Sequence, residues 1–210
     1  MLAVMRRFRW MTWIAFLAIL SSPAAFAQFG RRAIQAHGGY AFHEENNLRG
    51  GFESGFGFSY PLGKRFSLSF EFSHWQATSK ESFRKFYNGR ITVSPILICL
   101  QYEFLLNKFF FPYAFGGGAF VFARFKIGSY ASIPEVMIEQ KIEDGPGLYF
   151  GLGGRIAFSH ALSFFCEVSY LRRMAPAKTI IRDMNLGTST EEIVANLRTV
   201  FLKFGLKLFF

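Results

Sequence analysis

From Phe66 to Ser73 the side chains alternate without a break. Phe66, Leu68, Phe70 and Phe72 lie on one side, and Ser67, Ser69, Glu71 and Ser73 on the other. Successive side chains of an extended strand point to opposite faces, so a period of two marks a strand with one apolar face. The pattern returns along the chain. Ile34–His43 sets Ile34, Ala36, Tyr40 and Phe42 against Gln35, His37 and His43. Phe52–Tyr60 sets Phe52, Phe56, Phe58 and Tyr60 against Glu53, Gly55, Gly57 and Ser59. Ile91–Phe104 carries Ile96, Ile98, Leu100, Tyr102 and Phe104 on its bulky face, and a fifth strand covers about Phe110–Phe125. Leu148–Phe158, Leu162–Tyr170 and the run from near Ile193 to Phe210 complete eight predicted strands. Phe165 breaks the polar face of the seventh.

The links between these strands differ in length. Pro61–Lys64, Leu105–Lys108 and Ser159–Ala161 read as short turns by length and chemistry. Gln76–Gly89, Lys126–Gly145 and the stretch from Arg172 read as long loops. Ser189-Thr190-Glu191-Glu192 within the last of these fits a helix capping box, but the Phe and Val residues that follow favour strand. Apolar residues make up 51% of the chain, with 29 Phe, too much for the surface of an ordinary soluble domain. The longest uncharged run after the N-terminus, Phe109–Ala123, contains Pro112 and Gly116-Gly117-Gly118 and is a poor transmembrane helix. A barrel strand crosses a bilayer in about 9–11 residues. Eight strands enclose a space just wide enough for side chains, so the Phe-rich face must point outward and the Gly, Ser and charged face inward. A soluble lipocalin-like barrel would need the reverse. The expected fold is all-β: an eight-stranded antiparallel up-and-down transmembrane β-barrel.

The N-terminus fits such a destination. Arg6, Arg7 and Arg9 precede an apolar run, Trp10–Leu20, and Ala25-Phe26-Ala27 supplies small residues where a signal peptidase cuts. The run is too short for a membrane helix. Residues 1–27 are therefore expected to be a cleaved Sec-type signal peptide and residues 28–210 the barrel domain, in the outer membrane. Removing 1–27 lowers the net charge from +10 to +7. The remaining basic residues are scattered, with no Lys/Arg block to suggest nucleic acid. Cys99 and Cys166 fall on opposite faces of non-neighbouring strands and read as buried free thiols, and no metal-ligand spacing or cofactor motif is present.

The last residues, Lys203-Phe204-Gly205-Leu206-Lys207-Leu208-Phe209-Phe210, resemble the β-signal that the outer-membrane barrel assembly machinery reads. Together with Gly55-Phe56-Gly57-Phe58-Ser59-Tyr60-Pro61 and Phe111-Pro112-Tyr113, they make the chain resemble the outer membrane protein β-barrel domain family, the OmpA/OmpX-like small barrels. The resemblance implies the fold, the location and an assembly signal at Lys203, Gly205, Leu208 and Phe210. It implies activity poorly, because this fold hosts several functions.

Inward parity collects Glu53, Glu71, Glu103, Glu167, Arg155, Lys203 and Lys207 in the lumen. Buried charges must be paired. The expected network joins Glu71, Glu167, Arg155 and Lys203, with Glu167 in reach of Arg155 or Lys203 and Glu71 reaching across. It reads as a plug rather than an ion path. Lys80, Arg84, Lys85 and Arg90, and later Arg172, Arg173, Lys178 and Arg182, are candidate contacts for lipopolysaccharide phosphates, with Lys80, Arg84, Lys85, Arg172 and Arg173 foremost. Some barrels of this size modify lipid A, which needs a His with a Ser and an acid. Of His37, His43, His74 and His160, none has that arrangement within its own strand: His74 alternates away from Ser73 and Glu71. No catalytic site is expected, and the function is read as structural or as surface interaction: envelope integrity, adhesion or lipopolysaccharide contact. The alternatives are a lipid A-modifying enzyme and a small channel. N-terminal sequencing of the protein recovered from the envelope should begin at Gln28; an intact Met1 would overturn the cleavage assignment.

Overall fold

The computed structural model describes residues 31–44, 48–79, 89–104, 109–127, 136–183 and 187–210. The expected signal peptide, the turn 105–108 and Lys80, Arg84 and Lys85 lie outside the described residues.

Eight antiparallel strands close on themselves: β1 (Ala33–His43), β3 (Gly51–Pro61), β4 (Phe66–Ser79), β5 (Gly89–Glu103), β6 (Phe110–Ile127), β8 (Gly145–Ala157), β9 (Leu162–Arg172) and β12 (Thr199–Phe209). Each pairs with the next, and β1 pairs with β12 from Ala33↔Phe209 to His43↔Thr199. A two-residue strand, β2 (Leu48–Arg49), adds to the edge of β4. The alternation read from the sequence is the alternation of the barrel wall. Phe52, Phe56 and Leu152 are 69%, 64% and 66% exposed, in a belt with Ile34, Phe70, Ile98, Leu100, Phe150, Leu206 and Leu208. Such a continuous apolar surface needs lipid to cover it.

The segments expected to be long loops contain strand. β7 (Val136–Ile142), β10 (Met174–Asp183) and β11 (Gly187–Asn196) form a separate three-stranded sheet in the order β11-β10-β7. Only Arg173 separates β9 from β10, and only Leu197 and Arg198 separate β11 from β12. The pairing runs through in one register: Leu162↔Leu208, Leu171↔Thr199, Met174↔Asn196, Asp183↔Gly187. The Leu197 amide donates to the Arg173 carbonyl at 2.9 Å and bridges the junction. The last long loop is therefore a hairpin that continues past the barrel rim, and the Ser189–Glu192 segment is strand rather than a capped helix. Between β7 and β8 the register slips by one residue, since Ile142 faces Ala177 whereas Leu148 faces Arg172. The extra residue falls at Glu143–Asp144, as in a β-bulge.

The interior is zoned. The end nearest the short turns is polar and charged. The other end is apolar, and this was not expected from a polar inner face. Trp75, Val93, Leu97, Val121, Leu171 and Phe201 pack there in one buried cluster, which continues into Ile142, Ala175, Ala177, Ala195 and Leu197 of the outer strands. Trp75 meets Phe201 edge-on at 4.7 Å between ring centroids. Bulky inward groups stand over glycines. A Cβ on Gly205 would come within 2.6 Å of the Phe165 ring, and one on Gly153 would collide with Tyr113. Cys99 is buried inside; Cys166 is only half-buried, on the outer wall, which corrects the expectation of two buried thiols. Replacing Trp75 by Ala should empty the centre of the apolar zone and cost about 3–5 kcal/mol in urea unfolding from lipid vesicles. A loss under about 1 kcal/mol, the size of a surface substitution, would show that the zone does not hold the barrel together.

Candidate functional site

The buried ionic layer occupies the middle of the lumen. Lys203, on β12, lies opposite Glu167 of β9 on one side and Gly39 of β1 on the other, and Gly39 lies opposite Glu53 of β3. Gly39 carries no side chain, so the Lys203 ammonium reaches over it toward Glu53. It forms an ion pair with Glu71, donates to the Tyr149 hydroxyl at 2.8 Å, and lies 3.8 Å from Glu53 and 4.0 Å from Glu167. Three carboxylates thus converge on one buried ammonium. Tyr149 and Tyr113 place hydroxyls 3.1 and 3.3 Å from the two oxygens of Glu167. Ser73 donates to Glu71 at 2.9 Å.

His37 belongs to this layer and was missed in the sequence, although it shares the inward face of β1 with Gln35. Its Nε2 lies 2.8 Å from Glu53, 3.3 Å from Ser73 and 3.5 Å from Glu71. A carboxylate only accepts, so Nε2 carries the proton it donates to Glu53. His37, Glu53 and Glu71 are close enough together to hold a metal ion. The Lys203 ammonium already lies against both carboxylates, filling the place a cation would take. The same contacts argue against a triad, because Ser73 and Glu53 share one ring nitrogen and a relay needs both.

Arg155 is placed away from this group. Its register partner on β9 is Phe165, whereas Glu167 faces Gly153. The guanidinium grips Glu103 with a fork, at 2.9 and 3.3 Å, and reaches Ser163 at 3.2 Å. It stacks over Phe111 at 4.4 Å and Phe209 at 4.9 Å. Of the four residues expected in one network, Glu71, Glu167 and Lys203 come together, and Arg155 anchors a second pair nearer the short turns. Between the two groups a void of about 10 Å³ remains, lined in part by Gln35, Glu71, Cys99, Tyr113, Glu167 and Lys207. That is room for about one water.

The residues resembling an assembly signal divide by face. Lys203 and Gly205 point into the lumen; Leu208 and Phe210 are 45% and 61% exposed on the outer wall. Phe210 is held at the seam, its amide donating to the Arg32 carbonyl at 3.0 Å.

At the rim, Arg172 is exposed on the outer wall, but Arg173 is buried. It donates to the carbonyls of Val121, at 2.6 Å, and Glu143, so it ties β6 and the bulge to the long hairpin. Its candidacy as a lipopolysaccharide contact is corrected: alternation continues in one register from β9 into β10 and turns it inward. On the outer wall His74 Nδ1 and Ser94 Oγ meet at 2.8 Å across β4 and β5. Inspection of single strands could not show this pair, because it forms between strands.

A closed eight-stranded barrel with a lipid-facing apolar belt and a filled lumen is the fold of the small outer membrane β-barrels. It resembles the outer membrane protein OprG from Pseudomonas aeruginosa, with a TM-score of 0.67 at 16% identity, covering 87% of this chain and 97% of that one. It also resembles Neisserial surface protein A (TM-score 0.56, 14% identity, 85% and 97% coverage). A major outer membrane protein from Thermus thermophilus is similar as well (TM-score 0.57, 13% identity, 85% and 99% coverage). No protein-family model matches the sequence, and no curated protein matches it either.

The ionic layer sets a ranking of variants. Lys203→Ala should leave three buried carboxylates facing one another and cost at least about 3–5 kcal/mol. Lys64→Ala, in an exposed turn, should cost about 0–1 kcal/mol. Urea unfolding in vesicles reads both, and equal losses would mean that water reaches Lys203.

Proposed function

We propose that this is an outer-membrane protein with a closed lumen whose role is structural or surface interaction, exported through a signal peptide spanning 1–27. The observation that carries this reading is the double closure of the barrel. The ionic layer leaves room for about one water, and the apolar zone above it is continuous with the outer sheet. A side-chain core shared by lumen and outer hairpin makes the barrel a rigid base for β7, β10 and β11. That sheet, outside the apolar belt, is the surface offered to partners. Outer membrane lipids and lipopolysaccharide are the immediate neighbours, with Arg172 placed to meet them from the outer wall. Lys80, Arg84 and Lys85 remain candidates for the same role. Lys203, Gly205, Leu208 and Phe210 are read by the barrel assembly machinery during insertion.

One observation favours a second reading, a lipid-modifying enzyme: the His74–Ser94 pair faces the lipid. Nucleophilic catalysis needs a third group to orient the histidine. Among the described residues no carboxylate contacts His74, so the non-enzymatic reading is preferred.

Conductance separates the closed barrel from a channel. Purified protein in planar bilayers should show no large, stable pore. Frequent uniform openings of porin size would overturn the closed-lumen reading.

A further inference from the structure

Above Phe122 the outer wall of the barrel turns from apolar to basic in an ordered way. Arg49 on β2 lies opposite Thr78 on β4, Thr78 opposite Arg90 on β5, and Arg90 opposite Lys126 on β6. All four are outward-facing, and Arg49, Thr78 and Arg90 are exposed. They form one row across four adjacent strands, about 14 Å from end to end at the usual strand spacing. Arg124 stands one outward position lower on β6, opposite Thr92.

The row is poorly compensated from within. Arg90 and Lys126 are direct cross-strand partners, and like charges so placed destabilise a sheet. Asp144 takes Arg124 at 3.3 Å. Among the described residues, no carboxylate forms an ion pair with Arg49, Arg90 or Lys126. Glu139 lines the cleft beside Lys126 without pairing with it. Among the described residues, three cations and a threonine hydroxyl therefore share a face without a paired carboxylate, a face suited to an anion.

The height of the row says which anion. Below it come Thr92↔Arg124, then Ser94↔Phe122 and Ile96↔Phe120, with Ile96 44% and Phe120 46% exposed in the lipid belt. For strands tilted about 45°, Arg124 stands about 5 Å and Lys126 about 10 Å above Phe122. That is the level of headgroups, and long basic side chains can reach down to it. Guanidinium forks and an ammonium suit phosphate oxygens. We propose that Arg49, Thr78, Arg90 and Lys126, with Arg124 beneath, form a binding site for the phosphate groups of an outer-leaflet lipid. The site rests on the outer-membrane reading; of the candidate contacts read from the sequence it includes Arg90 alone, and it lies on the wall of the barrel.

The test uses the whole barrel in nanodiscs of zwitterionic lipid, with native mass spectrometry as the readout. The probes are lipid A carrying its phosphates, the same lipid after phosphate removal, and inorganic phosphate as a competitor. The phosphorylated lipid should bind. At roughly one screened contact per cation, the R90Q/K126Q double variant should bind about 30-fold more weakly. Arg65→Gln, at the opposite rim, should bind as the parent does. Equal binding of the dephosphorylated lipid, or unchanged affinity in R90Q/K126Q, overturns the site. Displacement of the lipid by equimolar inorganic phosphate overturns its assignment to a lipid. Heat-modifiable migration checks every variant for folding; the single variants R49Q and K126Q carry the same comparison if the double variant does not fold. Failure of the parent itself to insert would count instead against the membrane-barrel reading.

Discussion

Hydrocarbon offers no partner to a peptide N–H or C=O, so a sheet can cross it only if no edge is left open. The pairing of β1 with β12 meets that condition. It runs the full length of both strands, from Ala33↔Phe209 to His43↔Thr199, and the seam is fastened at its end by the Phe210 amide on the Arg32 carbonyl. The rest of the architecture follows from this closure. Eight strands make a lumen just wide enough for side chains, so each inward position is chosen with the ones beside it. Gly205 admits the Phe165 ring, and Gly153 admits Tyr113. Gly39 leaves the gap across which Lys203 reaches Glu53. A bulky residue at any of these glycines would contend with a ring or a neighbouring backbone.

Confinement also decides the chemistry. A lone charge in a lumen this narrow is costly; among the described residues Lys203 and Arg155 are paired there, whereas Lys207 is buried without an ion pair, its ammonium 5.8 Å from the Phe209 ring. Lys203 serves Glu53, Glu71 and Glu167, with hydroxyls from Tyr113, Tyr149 and Ser73 completing the shell. Arg155 takes Glu103 and lies between two aromatic rings. These arrangements pair opposite charges in layers, although Glu53 Oε2 and His37 Nδ1 are buried without a hydrogen-bond partner among the described residues. A conducting path would need a continuous file of water, and the space between the layers holds about one.

The barrel was legible in the sequence because lipid on one side and a crowded lumen on the other impose opposite demands at every second residue. That is why the odd and even positions of Phe66–Ser73 separate so cleanly. The parity of Phe165 was also readable, although its size made it look misplaced. What the sequence could not show was which inward groups share a level. That depends on register and stagger around the barrel, and so Arg155 was matched with Glu167 rather than Glu103, and His37 was left out. The outer strands were unreadable for a different reason. Beyond the bilayer the outward face need not be apolar, so Met174, Pro176 and Lys178 alternate with Ala175, Ala177 and Thr179 in a pattern that resembles loop. The His74–Ser94 contact and the row from Arg49 to Lys126 were hidden in the same way, since each exists only between strands.

The continuous register from Leu162↔Leu208 to Asp183↔Gly187 has a mechanical consequence. A loop joined to a barrel by two flexible points moves independently of the wall. A hairpin that crosses the rim in one register, with the Leu197 amide bonded to the Arg173 carbonyl at the junction, is tied to the wall, because bending it there would mean opening that bond. The buried Arg173 reinforces the junction by bonding to carbonyls of β6 and the bulge. The apolar zone does the same from inside, since Ala175 and Ala195 of the outer sheet belong to one cluster with Trp75 and Leu171 of the lumen. The residues that close the lumen are thus also those that fix the outer sheet. In this barrel, sealing the interior and holding a surface in a defined position are two results of the same packing.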